Sequence, residues 1–189
     1  MLVDYAAYRS SLLDARAGLH AIGFELSRDE QYAYRFKHPD GRKLDLIVAD
    51  HLPSRMEPRL DRRPAFAAPS GEQAIRRRDI YQLTFADGGT VSLGVPDELG
   101  ALVAKGAAWL VDRRDRERHL DDGAVLFASV EDVSEIDYPG MSKNDRKRIR
   151  ALFEQLSDAA HPSWMRLGRA DRERGLVNMK LIHRAISLT

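Results

Sequence analysis

An α+β fold, a mixed sheet followed by a helical C-terminal half, is expected for this chain on three grounds. Two turn signatures, Pro39-Asp40-Gly41 and Asp87-Gly88-Gly89, each separate two runs of strand character; such triplets supply the fixed φ and the left-handed position that a hairpin needs. Beyond residue 97, apolar residues recur at helical spacing through four segments. Of the 189 residues, 43% are apolar and 31% charged, a globular composition that allows a sizeable core. The order, one helix, four strands and four helices, lacks the regular alternation of a parallel α/β protein.

Residues 4–22 read as a helix with Leu12, Leu13, Ala15, Ala17, Leu19 and Ile22 on its apolar face and Tyr5 and Tyr8 at its head. Gly23 stands where a glycine ends a helix. Residues 31–37 alternate, with Tyr32, Tyr34 and Phe36 on one side, as a half-buried strand does. Residues 44–49 return as a nearly all-apolar, central strand. Residues 53–69 hold four prolines, with five charges between 55 and 62, and read as a long loop. Residues 79–85 and 90–95 form the second strand pair. Pro96-Asp97 opens a helix to about residue 111, and another covers about 116–130. Ser142 caps a third, with Asp145 as capping-box partner and Ile149, Leu152, Phe153 and Leu156 on its face. The last runs from about 172 to 186 through Leu176, Met179, Ile182 and Ile186. The expected division is a sheet-containing core, 1–96, and a helical half, 97–189.

Several function classes drop out. The chain has no cysteine, hence no disulfide, thiolate metal site or cysteine nucleophile. The six histidines show no His-Glu-x-x-His spacing, and there is no Gly-x-Ser-x-Gly, Walker or Gly-x-Gly-x-x-Gly motif. Trp109 and Trp164 read as core and capping aromatics rather than stacking platforms. No apolar run reaches the ~18 residues of a membrane span. Met1-Leu2-Val3-Asp4 lacks a basic, then apolar, leader. Cytoplasmic residence without a membrane partner is expected.

The net charge of +1 hides a pattern: −1 over residues 1–52, +4 over 53–78, −8 over 79–141 and +6 over 142–184. Two readings stand: charge matching within solvated faces, or a basic rim for phosphates around an acidic, metal-binding centre. Three positions break their local rule. Asp45 interrupts an apolar strand on the face of Ile47; it either needs a cation, a metal or donors, or sits at an edge and reaches water. Lys105 is the only charge between residues 99 and 111, so its ammonium must snorkel, pair or face a ligand. Small Gly106 and Ala107 beside it permit close approach of another element. Asp122, in the charged run 113–122, lies next to the apolar stripe through Val125 and Leu126, or merely pairs with Arg118 four residues away.

The order of helix, Gly23-Phe24, hairpin into Leu44-Asp45-Leu46-Ile47, then Leu102-Val103-Ala104-Lys105-Gly106-Ala107-Ala108-Trp109 and Arg118-His119-Leu120-Asp121-Asp122 resembles bacterial nucleotidyltransferase-fold proteins of the AbiEii-like group. That group includes toxins of toxin–antitoxin pairs, and the resemblance spans about residues 15–130. It implies a partial nucleotidyltransferase-like sheet in which Asp45 is a metal carboxylate for Mg²⁺ or Mn²⁺. It also implies that Lys105, with Arg118 beside it, binds a nucleoside triphosphate, and that Asp122 completes the site. His119 stands where many relatives carry another acid. The family's Gly-Ser turn and Asp-x-Asp pair do not precede Asp45 in this sequence, so the chain resembles a transferase lacking its front segment. The expected activity is transfer of a nucleoside monophosphate to RNA or protein, with this chain inactive by itself. The alternative is a non-catalytic module that binds nucleotide, RNA or protein. Arg55, Arg59, Arg76, Arg77 and Arg78 would meet the acceptor, and an antitoxin is an implied partner. An open sheet edge beside Asp45 would be closed by a homodimer, by the first helix or by the 53–69 loop.

Overall fold

Strand pairing in the first part of the chain is organised by the turn at residues 38–41, where Gly41 takes φ +92° and its N–H reaches the His38 carbonyl. The computed structural model describes residues 1–3, 11–28, 31–53, 55–138 and 140–188. It divides into two units, Met1–Arg76 and Arg77–Thr189.

In the first unit, β1 (Leu2–Val3), α1 (Ser11–Ala21), β2 (Glu25–Leu26), β3 (Arg35–Lys37), β4 (Lys43–Asp45) and β5 (Ile47–Ala49) are followed by β6 (Arg59–Leu60), β7 (Arg63–Pro64), β8 (Ala67–Ala68) and α2 (Gly71–Arg76). One antiparallel sheet has the order β2-β3-β4, and a parallel one has the order β1-β5-β8. The expected single strand 44–49 is therefore two strands, changing sheets at the fully buried Leu46, whose N–H bonds the Tyr34 carbonyl at 2.7 Å. β5 is central, as its apolar run requires. β4 is an edge.

Residues 53–69 are not a plain loop. They supply the β6–β7 hairpin, turned through left-handed Asp61 and Arg62, and they supply β8. The α1 face is narrower than expected: Leu12 and Leu19 are buried with Ala15 against them, at i, i+3 and i+7, whereas Leu13 and Ile22 are exposed. Tyr5 and Tyr8 lie outside the described residues. In the 31–37 strand, Phe36 is buried but Tyr32 is exposed, because the buried residue at that end is Ala33, bridged to Ala65. Gly23, at φ +87°, ends α1 as expected, its N–H bonded to the His20 carbonyl.

The second unit opens with β9 (Arg78–Thr84) and β10 (Thr90–Pro96), a two-stranded antiparallel sheet. Helices α3 (Glu98–Val111), α4 (Glu117–Ser129), α5 (Lys143–Leu156), α6 (Pro162–Met165) and α7 (Arg169–Leu188) follow. Asp97 caps α3 through the Gly100 N–H at 2.6 Å, and the Ser142–Asp145 capping box of α5 is complete. Leu102, Val103, Leu120, Phe127, Ile149, Leu152, Trp164, Met179 and Ile182 fill one core. No helix among the described residues is long and apolar enough to cross a membrane.

His183 of α7 stacks on Phe153 of α5 with ring centres 3.8 Å apart. Burial, then the Arg150 charge, lowers its pKa against an opposing Glu154. The folded state thus favours neutral imidazole, so this contribution is complete above the ordinary value of 6.5 and declines as pH falls below it. Thermal melts should lose stability on that acid limb, and His183→Phe should flatten it.

Candidate functional site

The three residues that break their local rule, Asp45, Lys105 and Asp122, each have a protein partner inside their own unit. Asp45 lies directly opposite Arg35 in the β3–β4 register. Arg35 Nε and Nη2 donate to its two carboxylate oxygens at 2.8 and 2.9 Å. With its side chain 42% exposed, Asp45 is an edge-strand acid and not a buried one. Leu46 and Val48 point the other way into the core, as the alternation required.

Lys105 projects from α3 toward α4, and its Nζ donates to Asp122 Oδ2 at 2.7 Å. The side chains are 36% and 38% exposed. Of the three outcomes open to this lysine, pairing is the one realised, at a place water reaches. α3 itself is less enclosed than its composition suggested, since Leu110 and Val111 are exposed. The buried stripe of α4 runs through Leu120, Ala124 and Phe127, leaving Val125 exposed. Asp122 therefore sits on the helix flank. Arg118 pairs with Asp115 at 3.7 Å and not with Asp122.

The rest of the 113–122 run holds the α3–α4 corner together. Asp112 accepts from the Arg114 N–H at 2.8 Å and lies 3.0 Å from Nε2 of the buried His119. The Arg114 N–H foremost, with His119, lowers the Asp112 pKa against partial desolvation. Arg116 lies 3.7 Å over the Trp109 ring and bonds the Trp109 carbonyl, while both tryptophans are buried, as expected. Asp121, which the sequence reading passed over, binds Ser163 and Arg166 and so docks α6.

The five arginines expected to meet an acceptor have different surroundings. In the first unit, Arg59 is held by Glu57 and the Arg62 carbonyl; Arg55 and Arg76 are exposed, Arg76 at 4.0 Å from Glu72. In the second, Arg77 is only 15% exposed and clamps Asp97 and the Asp137 carbonyl, which makes it part of the fold. Arg78 opens β9. Lys143, Lys147 and Arg150, which break no local rule in the sequence, lie exposed at helical spacing along α5 in the basic 142–184 segment. A depression of about 490 Å³ lies elsewhere, lined by Glu131, Asp132, Tyr138 and Asn178. Its acids suit no phosphate.

The carboxylates present do not fit a resident divalent cation. Mg²⁺ needs several oxygens in near-octahedral array, whereas both Asp45 oxygens are engaged by Arg35 and one Asp122 oxygen by Lys105. Within either unit, no three His, Asp or Glu side chains gather as a metal-holding group among the described residues. Comparison with known proteins adds no relative, since no protein-family model, curated protein or solved structure matches the chain.

Proposed function

We propose that this chain is a nucleotidyltransferase-like module that binds the polyphosphate of a nucleoside triphosphate at Lys105 and, alone, does not transfer the nucleotidyl group. The observation that carries this reading is the Lys105–Asp122 pair, a single ammonium on an otherwise apolar stretch, held at 2.7 Å where solvent reaches it. An ion pair of this exposure is worth about 0–1 kcal/mol. Lys105 can therefore exchange one carboxylate for a more highly charged phosphate chain at small cost, and Asp122 holds it extended until then. Transfer is withheld because a transferase metal needs more than one carboxylate, and the residue opposite Asp45 in the β3–β4 register is Arg35, not an acid. RNA is the acceptor class that exposed Lys143, Lys147 and Arg150 suit, through phosphate contacts.

Thermal-shift titration with the four nucleoside triphosphates tests the reading. Saturable stabilisation of the wild type, growing with ligand as RT ln(1 + [L]/Kd), should vanish in Lys105→Ala. Labelled nucleotide offered with tRNA or protein should not be incorporated. A flat titration for every nucleotide, stabilisation that survives Lys105→Ala, or incorporation of label by the chain alone contradicts it.

A further inference from the structure

The hairpin of β9 and β10 is the part of the molecule whose chemistry the nucleotide reading leaves unused. Its register pairs Leu83 with Val91, Tyr81 with Leu93 and Asp79 with Val95. Directly opposed residues, and those two apart along a strand, share a face. One face therefore carries Tyr81, Leu83, Phe85, Val91, Leu93 and Val95, with Asp79 at its open end, and the other Arg78, Gln82, Thr84, Thr90 and Ser92 with Ile80. The strands are amphipathic, as in a sheet with one face on a core. Yet all six residues of the apolar face are exposed, from 38% for Val95 to 56% for Phe85.

Two considerations make this face an interface. A two-stranded hairpin is marginal in water and needs a further layer for its stability. Proteins also protect exposed strands with charges, prolines or bulges, and this hairpin has charges and a proline only at its open end, Arg78, Asp79 and Pro96, and in its turn. The ladder is unbroken from Arg78 to Pro96, and between Ile80 and Pro96 the only charge is Asp87, in the turn.

We infer that the apolar face of the β9–β10 hairpin packs on the same face of a second copy of this chain. Area decides for a second copy. The exposed fractions amount to roughly 500 Å² of apolar surface, near the top of the range for a monomer's largest patch. Two such faces give about 1,000 Å², which with a polar rim reaches the ~1,200 Å² of a small stable interface. Self-association is also electrostatically open, because the six central positions carry no charge to meet its like. Asp79 and Asp87 fall at the two ends, in the solvated rim. Two-fold dimers are the commonest oligomers, and two aligned sheets about 10 Å apart interdigitate side chains of this size.

Sedimentation equilibrium or light scattering of the full chain from low to high micromolar concentration tests this. The wild type should approach twice its 21.4 kDa. The double variant Leu83→Lys/Leu93→Lys should stay at the monomer mass with its helical circular dichroism retained, its altered side chains being exposed in the monomer and outside the helical core. Gln82→Lys/Ser92→Lys, on the opposite face, should remain dimeric. A wild type that is monomeric throughout, or a dimer that survives Leu83→Lys/Leu93→Lys, overturns the inference. So does equal dissociation by both variant pairs. None of these outcomes touches nucleotide binding, which is read in the monomeric variant as well.

Discussion

Gly106→Ala should destabilise the protein by about 3 kcal/mol, the upper part of the range for overpacking, and lower its melting temperature by roughly 10 °C. α3 and α5 meet backbone to backbone at this residue: a methyl built on Gly106 overlaps the Arg148 carbonyl group. The carbonyl cannot swing aside as the tip of a flexible side chain would. It belongs to an α5 turn held by the Ser142–Asp145 capping box, by the Arg148–Asp145 pair and by the fully buried Ile149. Helix propensity works in the opposite direction, favouring alanine by about 1 kcal/mol. The sign of the change therefore tests the close approach itself. A calorimetric melt showing Gly106→Ala equal to or more stable than the wild type would mean that the helices stand further apart.

Trp164→Ala should cost about 3–5 kcal/mol, the range for truncating a buried large aromatic. Trp164 is fully buried in the second-unit core, and its indole N–H donates to the Leu156 carbonyl at 2.8 Å. Leu156 is the last residue of α5, so the tryptophan satisfies one of the carbonyls that a helix end leaves without an intrahelical partner. α7 comes close at Gly175, where an added methyl would lie 2.7 Å from the indole ring. Truncation opens a cavity that a rigid α4–α7 contact cannot close. Trp164→Phe keeps most of the volume but leaves that carbonyl unbonded, a loss of about 1–2 kcal/mol. Denaturant unfolding of the two variants separates volume from hydrogen bond; a Trp164→Phe variant as stable as the wild type would show that the bond contributes nothing measurable.

Where the sequence was readable, the governing residues lie within a few positions of one another. Ser142 and Asp145 announce the α5 cap because both partners fall in one turn, and Asp87-Gly88-Gly89 announces the second hairpin. Gly106 beside Lys105 pointed correctly to a close helix contact. Features set by distant strands were not readable. The break at Leu46 arises because residues 47–49 pair with β1 and β8, while 43–45 pair with β3. The prolines of 53–69 suggested a loop, yet Pro64 ends a strand and Leu60 fills the core.

The Asp45 partner was readable and was missed. Counting outward from Asp40 in the turn pairs residue 37 with 43 and residue 35 with 45, which sets Arg35 against the acid. The Lys105–Asp122 pair was open among alternatives, because two helices joined by a short corner bring such residues together without spacing alone specifying which acid is reached. That no described element of the second unit covers the β9–β10 face follows from how its helices pack on one another, and no local pattern encodes it.

The proposed nucleotide site rests on Lys105 being exchangeable between Asp122 and a phosphate. Removing the carboxylate should then help the ligand. Isothermal titration of a nucleoside triphosphate into the wild type, Lys105→Ala and Asp122→Asn measures this directly. Asp122→Asn frees the ammonium from a pair worth about 0–1 kcal/mol and should tighten binding by up to about fivefold, whereas Lys105→Ala should abolish it. Weaker binding in Asp122→Asn, or wild-type heats no different from those of Lys105→Ala, would contradict the account and leave the pair as a contact between two helices.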